Sequence, residues 1–207
     1  MKISSRSSRA MFSGLASLVL LSNLPTNACA QRYAADSAQS SDNYWKKLAF
    51  GVAVSLLAHE TAHILTSTVM GFHPYVAFDH GRPTVFSGID SDKYPHKQFL
   101  FSAAGLTTQA LIDEAILDIP HSRGGAIERG ILAGGIGTTL FYVTIGRNGS
   151  VSDISVMART SSLSKTQLSL IFGGFNAIQA LRIVKDPAYD HFFVRPTENG
   201  LGVGFRY

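Results

Sequence analysis

The run Leu56-Leu57-Ala58-His59-Glu60-Thr61-Ala62-His63-Ile64-Leu65 sets two imidazoles four residues apart, with a carboxylate directly after the first. On an α-helix that spacing brings His59 and His63 to one face, a turn apart, where both can ligate a single tetrahedral zinc ion. Glu60 then stands beside the metal, placed to take a proton from a zinc-bound water. The chemistry such a set supports is metal-assisted hydrolysis of a peptide bond. The surrounding segment is apolar, and two histidines and a glutamate inside it are costly in lipid unless they pair or bind something. A hydrogen-bonded polar cluster without metal is the bland alternative.

The elements that must position these residues are mainly helical. Four long apolar segments run from about Trp45 to Gly71, Phe99 to Ile119, Ile127 to Ile145 and Gln167 to Val184. Each approaches the roughly 20 residues that cross a bilayer. Gly134, Gly135 and Gly137 in the third, and Gly173 and Gly174 in the fourth, suit close helix–helix contact in lipid. The expected fold is therefore mainly α: about four transmembrane helices in a small bundle. Between the first two, Tyr75-Val76-Ala77-Phe78 and Thr84-Val85-Phe86 flank His80-Gly81-Arg82-Pro83 and predict a short β-hairpin. Residues 146–166 read as a polar loop rich in Ser and Thr. The tail ends in Leu201, Val203, Phe205 and Tyr207 alternating with small or polar residues, which is strand-like. About three such strands are too few for a membrane barrel.

Composition agrees. Apolar residues make up 45% of the 207 and charged residues only 15%, against roughly 25% charged in soluble domains. The net charge is +4, but the 18 Lys and Arg are scattered, so no nucleic-acid footprint is expected. Lys2, Arg6 and Arg9, the apolar stretch 13–24 and Ala28-Cys29-Ala30 predict a signal peptide over residues 1–30, followed by a flexible lead-in at 31–44. The single cysteine, Cys29, leaves with that signal, so disulfides and cysteine metal sites are excluded. The helical domain is then 45–186 and the C-terminal tail 187–207. The expected location is a membrane, taken as the bacterial inner membrane after signal-directed export. Lys and Arg are balanced between the loops and do not fix orientation.

The motif His59-Glu60-x-x-His63, seven further residues, Gly71 and a hairpin resembles the first transmembrane segment of the site-2-protease family of intramembrane zinc metallopeptidases. Residues 95–109, with Ala103-Ala104-Gly105-Leu106 and Gln109, resemble that family's second helix, although Leu106 replaces its proline and Gln109 stands near its asparagine. The resemblance covers roughly residues 50–115. It implies a helical bundle with zinc inside the bilayer and cleavage of membrane-associated peptides.

The third zinc ligand departs from that pattern, because the family's Leu-Asp-Gly motif is missing. The resemblance points beyond Phe175-Asn176-Ala177 toward Asp186. At 1.5 Å per residue, Gln109, Asp113, Asn176 and Gln179 come within about one or two turns of the zinc level, Glu114 falls slightly further, and Asp186 lies about 15 Å away. Glu114-Ala115-Ile116-Leu117-Asp118 also matches a Glu-x-x-x-Asp pattern of another zinc-peptidase group. The expected order is Glu114, then Asp113, then Asp186. Gln109 and Asn176 are candidates to hold the substrate backbone or the oxyanion. The reading is a membrane zinc metallopeptidase acting on peptide or membrane-protein substrates. Its rival is a non-catalytic membrane scaffold or assembly protein with structural or no metal.

Overall fold

The computed structural model describes residues 38–79, 81–189, 194–197 and 200–203, and the features below belong to the unit Ser41–Tyr207. Helix α1 spans Ala38–Val69, so residues 38–44 of the expected lead-in are helical. Strands β1 (Tyr75–Asp79) and β2 (Arg82–Phe86) follow, then α2 (Pro95–Asp118), α3 (Ala126–Val143), the short α4 (Asp153–Arg159) and α5 (Lys165–Lys185). Strands β3 (Val194–Thr197) and β4 (Gly200–Val203) close the chain. The signal segment, the lead-in up to residue 37, His80, His191, Phe205 and Tyr207 lie outside the described residues.

Local chemistry explains the boundaries. Gly71, at φ +84, ends α1, with Gly71 N donating to Thr68 O and Phe72 N to Ser67 O. Pro95 opens α2 where its missing N–H costs nothing. A capping box opens α5: Gln167 N donates to Ser164 Oγ, while Ser164 N donates to the Gln167 side chain. The hairpin is antiparallel, with Tyr75 opposite Phe86 and Asp79 opposite Arg82, and Tyr75 stacks on Phe86. Strands β3 and β4 pair in the same sense, Val194 opposite Val203, which places Leu201 and Val203 on a strand.

Helices α1 and α2 each bury a polar stripe. Along α1, Ser55, His59, His63 and Ser67 recur every four residues and all are buried. On α2 the matching stripe is Gln98, Ser102, Gln109 and Asp113, also buried. The opposite faces of α1 and α5 leave Phe50, Leu57, Leu65, Val69, Leu170, Ile178 and Val184 exposed. A helix on a water-soluble core shows the reverse polarity. Helix α1 meets α3 backbone to backbone, since a methyl on Gly51 would come within 2.9 Å of the Gly130 Cα and 2.0 Å of the Ile127 carbonyl oxygen. This small-residue seam is the packing that suits helices lacking a hydrophobic drive between them. Two compact apolar clusters complete the core: Leu106, Ile154, Met157 and Leu168, and Leu117, Leu132, Ile183 and Tyr189.

Two of the four expected spans are long and apolar enough to cross a bilayer, Asn43–Val69 and Lys165–Lys185. Helices α2 and α3 fall short. The first carries the buried polar stripe and ends in Glu114 and Asp118, and the second opens with Glu128 and Arg129. The 146–166 segment also differs from expectation: it contains α4, whose Ile154, Ser155 and Met157 are fully buried.

Candidate metal centre

Helix α1 delivers His59 and His63 side by side, with ring centroids 4.7 Å apart. Gln109, from α2, accepts from His59 Nδ1 at 2.9 Å. The amide of Gln109 is itself oriented, because its Nε2 donates to Ser55 Oγ at 3.0 Å and to Ser55 O at 3.3 Å. Its Oε1 therefore faces the imidazole, and His59 carries its proton on Nδ1. His63 Nδ1 donates to the Phe101 carbonyl at 2.6 Å, and a carbonyl can only accept. Both rings thus turn an Nε2 lone pair inward, the arrangement by which outer hydrogen bonds fix a metal-ligating histidine.

The third member is Asp153, the first residue of α4. Its Oδ2 lies 3.2 Å from His59 Nε2 and 3.5 Å from His63 Nε2, and the two Nε2 atoms are 3.1 Å apart. The three residues are 2%, 4% and 6% exposed. They form a buried group that could hold a metal ion. Burial alone would raise the Asp153 carboxyl. When the rings also take up a proton at Nε2, the charge of His63 and the hydrogen bonds that His59 and His63 then donate outweigh burial and hold the carboxyl at about 2. Three electron-rich atoms converging in a dry site repel one another unless a cation, proton or metal, sits among them.

Space for the group comes from Gly105 on α2. A methyl there would fall 2.5 Å from His59 Nε2 and 2.6 Å from His63 Nε2. Tyr142 of α3 stacks on His59 at 5.5 Å, and Phe101 tilts over His63 at 4.8 Å. No protein-family model matches the chain, no curated protein matches it, and no solved structure matches its fold.

The candidate third ligands chosen from sequence go elsewhere. Glu114 and Asp118 both bind Arg182 of α5. Asp186 accepts from Arg123 at 2.9 Å and caps Ala188 N. Asp113 is buried without a hydrogen-bond partner among the described residues, and burial, followed by the charge of Glu114, pushes its carboxyl up to about 8. Gln109, expected to hold substrate, has both ends of its amide committed to His59 and Ser55. Asn176 is buried on α5, and among the described residues no hydrogen bond links it to the histidines. Glu60 is partly exposed and makes no hydrogen bond or ion pair among the described residues. Asp153 was not singled out in the sequence, where residues 146–166 read as a polar loop; the helix-start signal Ser152-Asp153 could have marked it, and the structure turns the acid inward, with Ser152 Oγ unpartnered among the described residues.

Proposed function

We propose that this protein is a membrane-embedded zinc metallopeptidase whose ion is held by His59, His63 and Asp153. The observation that carries the reading is the triangle of ligand atoms, with sides of 3.1, 3.2 and 3.5 Å. Zinc bound tetrahedrally at 2.0–2.1 Å spaces its ligands about 3.3 Å apart. Two nitrogens and one carboxylate oxygen leave a fourth position for water or substrate, the ligand count of catalytic zinc sites. When bound, zinc supplies a Lewis acid that polarises a carbonyl and lowers the pKa of a coordinated water. Glu60, adjacent to His59 and free of other partners among the described residues, takes the proton. Gln109 and the Phe101 carbonyl hold the two imidazoles in register through that transfer.

The membrane assignment is supported by two long apolar helices that are mostly unburied: 28% of the most apolar window of α1 is buried and 22% of that of α5. Core helices of soluble proteins are mostly buried, so these outward leucines and isoleucines call for lipid. The substrate would be a membrane-associated peptide. The β1–β2 hairpin is tied to the site's helices, Ser67 Oγ donating to Ser87 O and Ser87 Oγ to Gln98 Oε1, each at 2.6 Å. A two-stranded hairpin of this kind suits addition of an extended substrate strand at its edge.

The test is metal content and peptide cleavage by the detergent-purified full chain. Wild type is expected to hold about one zinc per chain, and His59→Ala and Asp153→Ala to lose it. Glu60→Gln should keep the zinc and lose at least about 100-fold in cleavage rate. A metal-free wild type, or a Glu60→Gln variant with full cleavage, rejects the reading.

A further inference from the structure

Asp113 lies one turn beyond Gln109 on the inner stripe of α2. It is 1% exposed, and neither carboxyl oxygen meets a hydrogen-bond donor among the described residues. Helix α3 approaches it at Gly135, where a methyl would come within 2.3 Å of Oδ2. From α5, Gln179, which is 0% exposed, donates through Nε2 to the Ala110 carbonyl at 2.9 Å. That contact places the Gln179 amide on the turn of α2 leading to Asp113 and leaves its Oε1 without a donor. Helices α2 and α5 thus bury three acceptor oxygens, two on Asp113 and one on a side chain anchored three residues before it, and none has a donor among the described residues. Buried polar atoms are almost always partnered, so such a group marks a bound species or a held proton.

The charged residues of the surrounding helices are committed elsewhere. On α2, Glu114 and Asp118 are bound by Arg182 of α5, and α5 has no other ionisable residue between Lys165 and Arg182. On α3, Arg129 donates to Gly124 O and Ala188 O, and nothing ionisable follows until Tyr142, which stacks on His59. On α1, His59 is the sole ionisable residue between Lys47 and Glu60, and it faces Gln109 and Asp153. Helix α4 contributes Asp153, held at the histidines, and Arg159, which donates to Ser150 O.

We propose that Asp113 and Gln179 form a second cation site, separate from the histidine centre, that binds a proton or a sodium ion. The shared chemistry is a small monovalent cation that neutralises the carboxylate and is accepted by the Gln179 amide oxygen. With the cation in place, α2, α3 and α5 close over a neutral group; without it they enclose a bare charge. The site does not rest on the metallopeptidase reading.

Its signature is a pH-dependent stability of defined sign. Asp113 holds its proton more tightly in the folded chain, up to about 8, than in the unfolded chain, near 4. Its contribution is therefore complete below the unfolded value and lost as pH rises through the folded one. Thermal unfolding of the detergent-solubilised full chain between pH 6 and 9.5 in choline chloride should show the wild-type midpoint falling by about 5 °C more than that of Asp113→Asn. At pH 9.5, sodium chloride that restores the wild-type midpoint and leaves Asp113→Asn unmoved assigns the site to sodium. Equal midpoints in the two salts assign it to the proton. A protonated-carboxyl stretch in the infrared spectrum at pH 6 should be absent from Asp113→Asn and shifted in Gln179→Leu, which reports on the site even if the first variant fails to fold. Identical pH profiles for wild type and Asp113→Asn, or a carboxyl band unmoved by either substitution, overturns the proposal. Neither readout depends on zinc or on cleavage, so the two readings fail independently.

Discussion

Asp153 and Asp113 are the same residue type on neighbouring helices, and both are nearly sealed from solvent. Asp153 opens a seven-residue helix and reaches two imidazoles at 3.2 and 3.5 Å. Asp113 sits in the last third of a 24-residue helix and reaches no donor among the described residues. One carboxyl is held down at about 2 and the other is pushed up to about 8. Burial acts in the same direction on both, so burial cannot account for the difference. The neighbours do. Imidazoles that can carry protons keep Asp153 anionic, whereas Glu114 adds a like charge beside Asp113. An anion between two histidines could hold a metal ion, while a buried acid without a donor suits the small cation proposed for it.

A glycine makes room at each site, Gly105 for the imidazoles beside Asp153 and Gly135 for the Asp113 carboxyl, and the two glycines give the sharpest way to separate the sites. A methyl on Gly105 would meet His59 and His63 ring atoms at 2.5–2.6 Å, and one on Gly135 would meet the Asp113 carboxyl at 2.3 Å. Gly105→Ala must rotate imidazoles whose Nδ1 atoms are already fixed. It is expected to weaken zinc binding by at least about 100-fold in a chelator competition. Gly135→Ala is expected to leave zinc affinity within about twofold and to cost about 1–3 kcal/mol in unfolding, the usual range for overpacking. Equal loss of zinc in both variants would merge the two regions into one site and remove the comparison.

The contrast also marks where the sequence was readable. His59 and His63 declare themselves, because a spacing of four is a property of the helix they occupy. The hairpin over Tyr75–Phe86 and the cores of the long helices follow from composition and turn residues in the same local way. Asp153 was hidden because its place beside the histidines depends on α4 packing against α2, with Ile154 and Met157 meeting Leu106 and Leu168. Those apolar residues are scattered among serines and threonines in a window too short to show helical periodicity. Depth counted along long helices pointed to α2, since it assumed that a ligand must come from a spanning segment. It did place Gln109 near the histidines, where its amide oxygen accepts from His59 Nδ1. The count of spans was too high because α2 and α3 look apolar as runs, yet turn glutamines, an aspartate and an arginine into the interior.

Glu114 tests that lesson with a smaller effect. It pairs with Arg182, which is 37% exposed at the side chain and shares its guanidinium with Asp118. Glu114→Ala is expected to leave zinc stoichiometry unchanged, since the acid is bound to a guanidinium rather than to the histidines. Unfolding should cost about 0–1 kcal/mol, the range for partly exposed pairs with a second acid still in place. Loss of zinc in this variant would return Glu114 to the ligand set and displace Asp153.

The smallest effect concerns an imidazole–carboxylate pair placed in solvent. His121, in the loop between α2 and α3, donates from Nδ1 to Ile119 O at 2.7 Å and from Nε2 to Glu128 at 3.1 Å. Both ring nitrogens donate only in the protonated form. The bond to Ile119, followed by that to Glu128, accordingly raises the His121 pKa above its ordinary value. A raised folded-state value contributes stability that is complete below the unfolded value of about 6.5 and disappears as pH rises through the folded one. His121→Gln should therefore lower the unfolding midpoint by about 1–2 °C at pH 5.5 and leave it unchanged at pH 8.5. A deficit that is equal at both pH values would mean that the side chain acts there through packing. It would also leave the low carboxyl of Asp153 without a solvent-exposed counterpart built on the same charge pairing.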